Sequence, residues 1–135
     1  MLTNESNYLD IDLEYLEKVV FKNCLEDEMY LNSIIDSLNY KFFKNKDLQQ
    51  IVKIIQALYQ KNNRRPTPTE LELYLNTPQL KDHYQSSKKI TNALEVDLSN
   101  DILLSYTEKF LQEQAVFNTF LEIVDNKERD IKREK

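Results

Sequence analysis

The chain of 135 residues contains no glycine, one cysteine, one histidine and three prolines. Glycine supplies the positive-φ positions of hairpin turns, phosphate-cradling loops and nucleophile elbows, so those devices lose their usual residue. A P-loop and a dinucleotide-binding fingerprint both need glycines that let the backbone approach a phosphate. ATP or nicotinamide chemistry within this chain is thus excluded by motif, and no cofactor is expected. Cys24, alone, forbids an intrachain disulfide and suits a reducing compartment. One thiol and His83 cannot supply the four ligands of a structural zinc site, and nothing in the sequence orients them as a nucleophile and base. The opening "MLTNESNYLD" lacks the basic start and apolar core of a secretory signal. No apolar run reaches the roughly 20 residues that a membrane span needs. The expectation is one cytoplasmic domain.

Leucine, lysine, glutamate and isoleucine are abundant, and the apolar residues recur at helical rather than alternating spacing, which predicts an all-α fold. Charge is unevenly spread. Met1 to Tyr30 carries eight acids against two lysines, whereas Lys41 to Arg65 carries seven bases against one acid. With net charge −5 and a pI near 5.0 the chain is a poor general DNA binder, although a local basic face can approach phosphates.

A first helix is predicted from about Asp12 to Cys24, capped by Asp10 or Asp12, with Leu13, Leu16, Val20 and Cys24 on its inner face. A second starts near Glu26 or Asp27, where acids suit the positive end of the helix dipole, and carries Leu31, Ile34, Ile35 and Leu38 inward. Tyr40, Phe42 and Phe43 then plug the core from a loop. A third helix carries Leu48, Ile51, Val52, Ile55, Leu58 and Tyr59, with Asp47 and Gln50 spaced as a capping box. In "NNRRPTPTELELYL", Thr67 is a cap, Pro68 occupies the first helical position and Glu70 completes a box. The two prolines bar residues 65 and 67 from the α region, so this stretch is a hard corner between helices. Thr77 and Pro78 repeat the signal, but sparse apolar residues predict only a short, loosely packed helix. From Asn100 to Asp125 one long helix is predicted, with Leu103, Phe110, Phe117, Val124 and Ile131 seven residues apart and Tyr106, Phe120, Leu121 and Ile123 in neighbouring rows. Residues 127–135 hold five bases, three acids and one apolar residue; they fray or prolong the helix. The division is a flexible 1–9, a small orthogonal bundle over 10–97, the long helix over 98–126 and a charged tail over 127–135.

Three stretches, "LEDEMYLNSIIDSLNYKFF", "LQQIVKIIQALYQKNNRRPTPTELELYL" and "YTEKFLQEQAVFNTFLEIV", carry a family likeness in their order and spacing. Over about residues 10–125 they resemble the N-terminal domain of DnaB-type replicative helicases, in particular those of tailed phages. The shared features are packing and capping patterns; none is a catalytic signature. The resemblance implies a helical bundle followed by a helical hairpin that pairs subunits, the long helix being its first arm. It also implies a collar on a hexameric ring, dimer or hexamer assembly, and docking of primase or a helicase loader during DNA replication. The ATPase motor belongs to a separate C-terminal domain in that family, so this chain is expected to be non-catalytic.

Candidate residues follow. Asp10 and Asp12 have the D-x-D shape of a metal-binding pair but are read as helix caps, without a third acidic cluster to join them. Leu103, Tyr106, Phe110, Phe117, Phe120, Leu121 and Val124 are the expected self-association face, on a helix longer than a small core can cover. Lys53, Lys61, Arg64 and Arg65 are the candidates for an acidic partner or DNA, weighed against solvated cations at a helix C-terminus. The rival reading is a small single-stranded nucleic-acid binder in which Tyr40, Phe42 and Phe43 stack on bases. A free-standing regulator that mimics the helicase collar is a third.

Overall fold

A computed structural model describes residues 11–134, and all its regular structure there is helical. The expected flexible segment 1–9 and the alternative cap Asp10 lie outside the described residues. Among the described residues six α-helices and one 3₁₀ turn follow in order: α1 Leu13–Glu26, α2 Glu28–Ile34, the turn Tyr40–Phe42, α3 Lys46–Asn62, α4 Pro68–Leu73, α5 Pro78–Asn92 and α6 Asn100–Glu134. None is long and apolar enough to cross a membrane.

Side-chain caps set most of the boundaries. The Asp12 carboxylate accepts from Tyr15 N–H at 3.1 Å and starts α1. Asp27, in extended backbone, ends α1 and starts α2 by accepting from Tyr30 N–H at 3.1 Å. Leu16, Val19, Val20, Phe21 and Cys24 of α1 are buried, but Leu13 is left exposed at the helix start. Helix α2 stops at Ile34, short of the predicted inward run to Leu38. Its end tightens through Ser37 N–H to Ile34 C=O and Leu38 N–H to Ile35 C=O, so Leu38 is buried from a turn.

Gln56 of α3 holds the following loop from both sides, accepting from Tyr40 N–H at 2.6 Å and donating to Leu38 C=O at 2.9 Å. Phe42 and Phe43 enter the core, and Phe43 meets Phe110 edge-on with centroids 5.8 Å apart. The cap of α3 is Asn45, which accepts from Leu48 N–H at 3.2 Å; the predicted Asp47–Gln50 box does not form. Asp47 instead meets His83 Nδ1 of α5 at 2.7 Å. Helix α3 ends on Asn63 at φ 56°, ψ 30°, and in a chain without glycine asparagine is the residue that best tolerates this left-handed position.

At the corner, Thr67 and Glu70 form the full capping box, with Pro68 at the start of α4. Thr77 caps α5 by accepting from Leu80 N–H at 3.2 Å. Helix α5 runs 15 residues and makes the most extensive helix pairing of the fold, against α3, rather than the short, loose packing expected. Its buried face is Tyr84, Ser87 and Thr91. The hydroxyls of Ser87 and Thr91 donate to their own helix, at 2.8 Å to Tyr84 C=O and 3.0 Å to Lys88 C=O, so small side chains can be buried without orphan donors.

Candidate interface on the long helix

Helix α6 begins on the bundle, packing against α1 and the 3₁₀ turn. Leu103, Thr107, Phe110, Leu111 and Gln114 are buried there. Thr107 donates to Leu103 C=O at 2.8 Å and so accepts from the Tyr30 hydroxyl, 2.5 Å away. Burial holds the Tyr30 phenol neutral by pushing its pKa well above the usual tyrosine range.

Residues 119–129 are all exposed, and the helix continues to Glu134. At 1.5 Å per residue the stretch 119–134 extends roughly 24 Å past the bundle. The tail thus prolongs the helix, well beyond Asp125. Phe117, Phe120, Leu121 and Val124 are 44%, 60%, 47% and 37% exposed. They fall within about 100° of helix circumference, on the line by which Leu103 and Phe110 enter the core. Tyr106 lies at the edge of the packed face, 38% exposed. Leu103 and Phe110 leave the self-association set: both are core residues of the chain's own bundle. Val116, missed from sequence because it stands outside the seven-residue row, joins Ile123 as an exposed flank.

The loop beneath the stripe is built by a buried carboxylate. Glu17 accepts from Lys44 N–H at 2.6 Å and Asn45 N–H at 3.1 Å, fixing the approach to α3. Lys44 Nζ then lies 5.0 Å from the centre of the Phe117 ring, a cation–π contact at the point where bundle cover ends.

The four basic candidates have separate roles. Arg64 forks onto Glu70 at 2.7 and 2.6 Å. This guanidinium, aided by the Thr67 N–H, holds the Glu70 pKa down at about 2, and the same pairing raises that of Arg64. Arg65 Nη1 donates to Leu25 C=O at the end of α1, 2.8 Å away. Lys61 bonds the Tyr74 hydroxyl at 3.1 Å, and Lys53 lies 5.3 Å from the Tyr40 ring centre. Arg64 and Arg65 therefore serve the corner. Phe42 and Phe43, needed by the nucleic-acid reading as stacking groups, are buried in the core and present no face to a base. Asp12 acts as a cap, and no cluster of histidine, cysteine or acids among the described residues could hold a metal. Cys24 is a buried small core residue whose thiol pKa is pushed up by burial.

Comparison with protein-family models, curated proteins and solved structures finds no match.

Proposed function

We propose that this chain is a non-catalytic assembly domain whose projecting α6 pairs with another protein chain, in the manner of the collar of a phage DnaB-like replicative helicase. The observation that carries the reading is the stripe of Phe117, Phe120, Leu121 and Val124, continued from the core onto a helix that no other element covers among the described residues. The order of a small bundle followed by a long helix agrees with what the sequence resemblance implies, and docking of primase or a loader is proposed on that resemblance. A free-standing regulator would use the same stripe in trans.

Magnitudes bound the strength of pairing. Covering half-exposed side chains of this kind is worth roughly 1 kcal/mol each, so two stripes supply about 8 kcal/mol, and about 10 with the flanks half covered. Association costs of about 4 kcal/mol or more leave roughly 6, which corresponds to tens of micromolar. Light scattering after size-exclusion chromatography should show a mass that rises with concentration over this range. Phe117→Glu and Phe120→Glu should restore a single-chain mass while retaining the helical circular dichroism spectrum. A single-chain mass at every concentration, insensitive to both substitutions, would remove self-association. Titration with a phage primase tests docking separately.

A further inference from the structure

The four basic candidates divide by what lies beside them. Arg64 and Arg65 serve the corner, whereas Lys53 and Lys61 flank a groove of about 480 Å³ between α3, the end of α4 and the start of α5. Half-buried Ile54 and Leu80, buried Leu58 and the Tyr74 ring give it an apolar lining, and no acid lines it among the described residues. Lys53, Ala57 and Lys61 follow one another four residues apart on α3, so the two lysines leave one side of the helix roughly 12 Å apart. Ala57 between them is exposed and small, which lets a partner's backbone come close.

Both charges are held in place without being neutralised. Lys61 Nζ donates to the Tyr74 hydroxyl at 3.1 Å and lies 5.8 Å from the centre of that ring, and Lys53 Nζ lies 5.3 Å from the Tyr40 ring centre. Neither forms an ion pair among the described residues, whereas Lys22, Arg64 and Arg129 are each joined to a carboxylate. The groove is thus a local reversal of sign in a chain of net charge −5. An acidic partner is repelled by the rest of the surface and attracted here, which favours this one approach. A nucleic-acid strand asks for cations along its whole track and for open aromatic faces. The middle of this groove is apolar and Tyr74 already carries Lys61 over its ring, so a protein segment suits it better.

We propose that the groove docks an acidic amphipathic helix of another protein, with apolar residues at i+3 and i+4 set between acids at i and i+7. Seven residues rise roughly 11 Å, close to the separation of the two lysines, so the acids meet Lys53 and Lys61 while the apolar pair covers Ala57 and Leu58. The groove shares no residue with the α6 stripe, so this docking and self-association can fail independently.

The full chain is titrated with a fluorescein-labelled helical peptide of roughly 16 residues that carries leucine and phenylalanine between two glutamates in this spacing. A second peptide has glutamines for the glutamates, and a third probe is a labelled oligothymidylate of similar length. The glutamate peptide should bind about fivefold or more tighter than the glutamine peptide, the advantage shrinking as salt is raised. Its binding should shift the amide signals of Ile54, Ala57, Tyr74 and Leu80 in the isotope-labelled chain. Lys53→Gln combined with Lys61→Gln should abolish the advantage of the glutamates, while Lys127→Gln, a charge lost from the exposed part of α6, should leave it unchanged. Ala57→Gln, which fills the middle of the groove without altering charge, should weaken both peptides. Should the doubly substituted chain fail to fold, the comparison of the two peptides on the unaltered chain still decides. No binding of the glutamate peptide at millimolar concentration, equal binding of the two peptides, or signal shifts confined to other elements overturns the proposal. So does oligothymidylate binding that depends on Lys53 and Lys61 where the peptides do not bind, which would assign the groove to nucleic acid.

Discussion

Glu17 is a carboxylate 5% exposed, and its two backbone donors, the N–H groups of Lys44 and Asn45, account for its place in the interior. Removing it by Glu17→Ala takes the acceptor from two part-buried N–H bonds, at about 1 kcal/mol or more each. Urea denaturation should show a loss of roughly 2 kcal/mol or more, with a smaller loss for Glu17→Gln, which retains one acceptor. A Glu17→Ala protein as stable as the parent would mean that the loop has other support. Glu70 makes a second, pH-dependent contribution. Its folded-state pKa of about 2 lies below the ordinary 4.5, so ionised Glu70 stabilises the fold above pH 4.5 and loses that contribution as pH falls through about 2. Glu70→Gln keeps a capping-box side chain but removes the charge. Its stability should therefore converge on that of the parent between about pH 4.5 and 2, the difference being small because the Arg64 pair is at the surface. Parallel stability curves throughout this window would show that the pairing is not felt.

At the scale of elements, legibility depended on how local the signal is. Asp12, Thr67 and Thr77 were readable as caps because each cap and its N–H partner are three residues apart. The same spacing misled at Asp47 and Gln50. Asn45 took the cap two residues earlier, and the partner of Asp47 is His83, distant in sequence. Helix α5 was undervalued for a related reason: an apolar count does not register buried Ser87 and Thr91, whose polarity is satisfied inside their own helix. Ser87 is 0% exposed against its neighbours, leaving no room for growth. Ser87→Leu should overpack this contact and cost about 1–3 kcal/mol, read as a lower thermal midpoint. An unchanged or raised midpoint would indicate a void beside Ser87 that the burial of the residue does not suggest. The tie of Arg65 to Leu25 C=O was invisible from sequence as well, because the arginine was grouped with Arg64 and only the three-dimensional corner separates their roles.

For the whole molecule, the seven-residue row along α6 announced a long amphipathic helix but could not tell where the bundle's cover stops. That depends on how far α1 and the Phe43–Asn45 loop reach, and it divides Phe110, 1% exposed, from Phe117, 44% exposed. The same division governs stability. Between 103 and 115 the helix is held by core packing. Beyond 118 the described side chains, 119–129, are exposed and add to the backbone hydrogen bonds only the Asp125–Arg129 pair at 2.8 Å, and segments shorter than about 12–15 residues are marginal as isolated helices in water. An attached helix of little greater length, with an uncovered apolar stripe, gains order when another chain covers it. Amide hydrogen exchange should therefore be slow over 103–115 at any concentration. Over 119–134 it should be fast in dilute solution and slow progressively as concentration passes through the tens of micromolar. Phe120→Glu should hold that segment in fast exchange throughout, with the protection of 103–115 unaltered. Were 119–134 as protected as 103–115 in dilute monomer, the projecting helix would be self-sufficient, and its greasy face would not be what drives chains together.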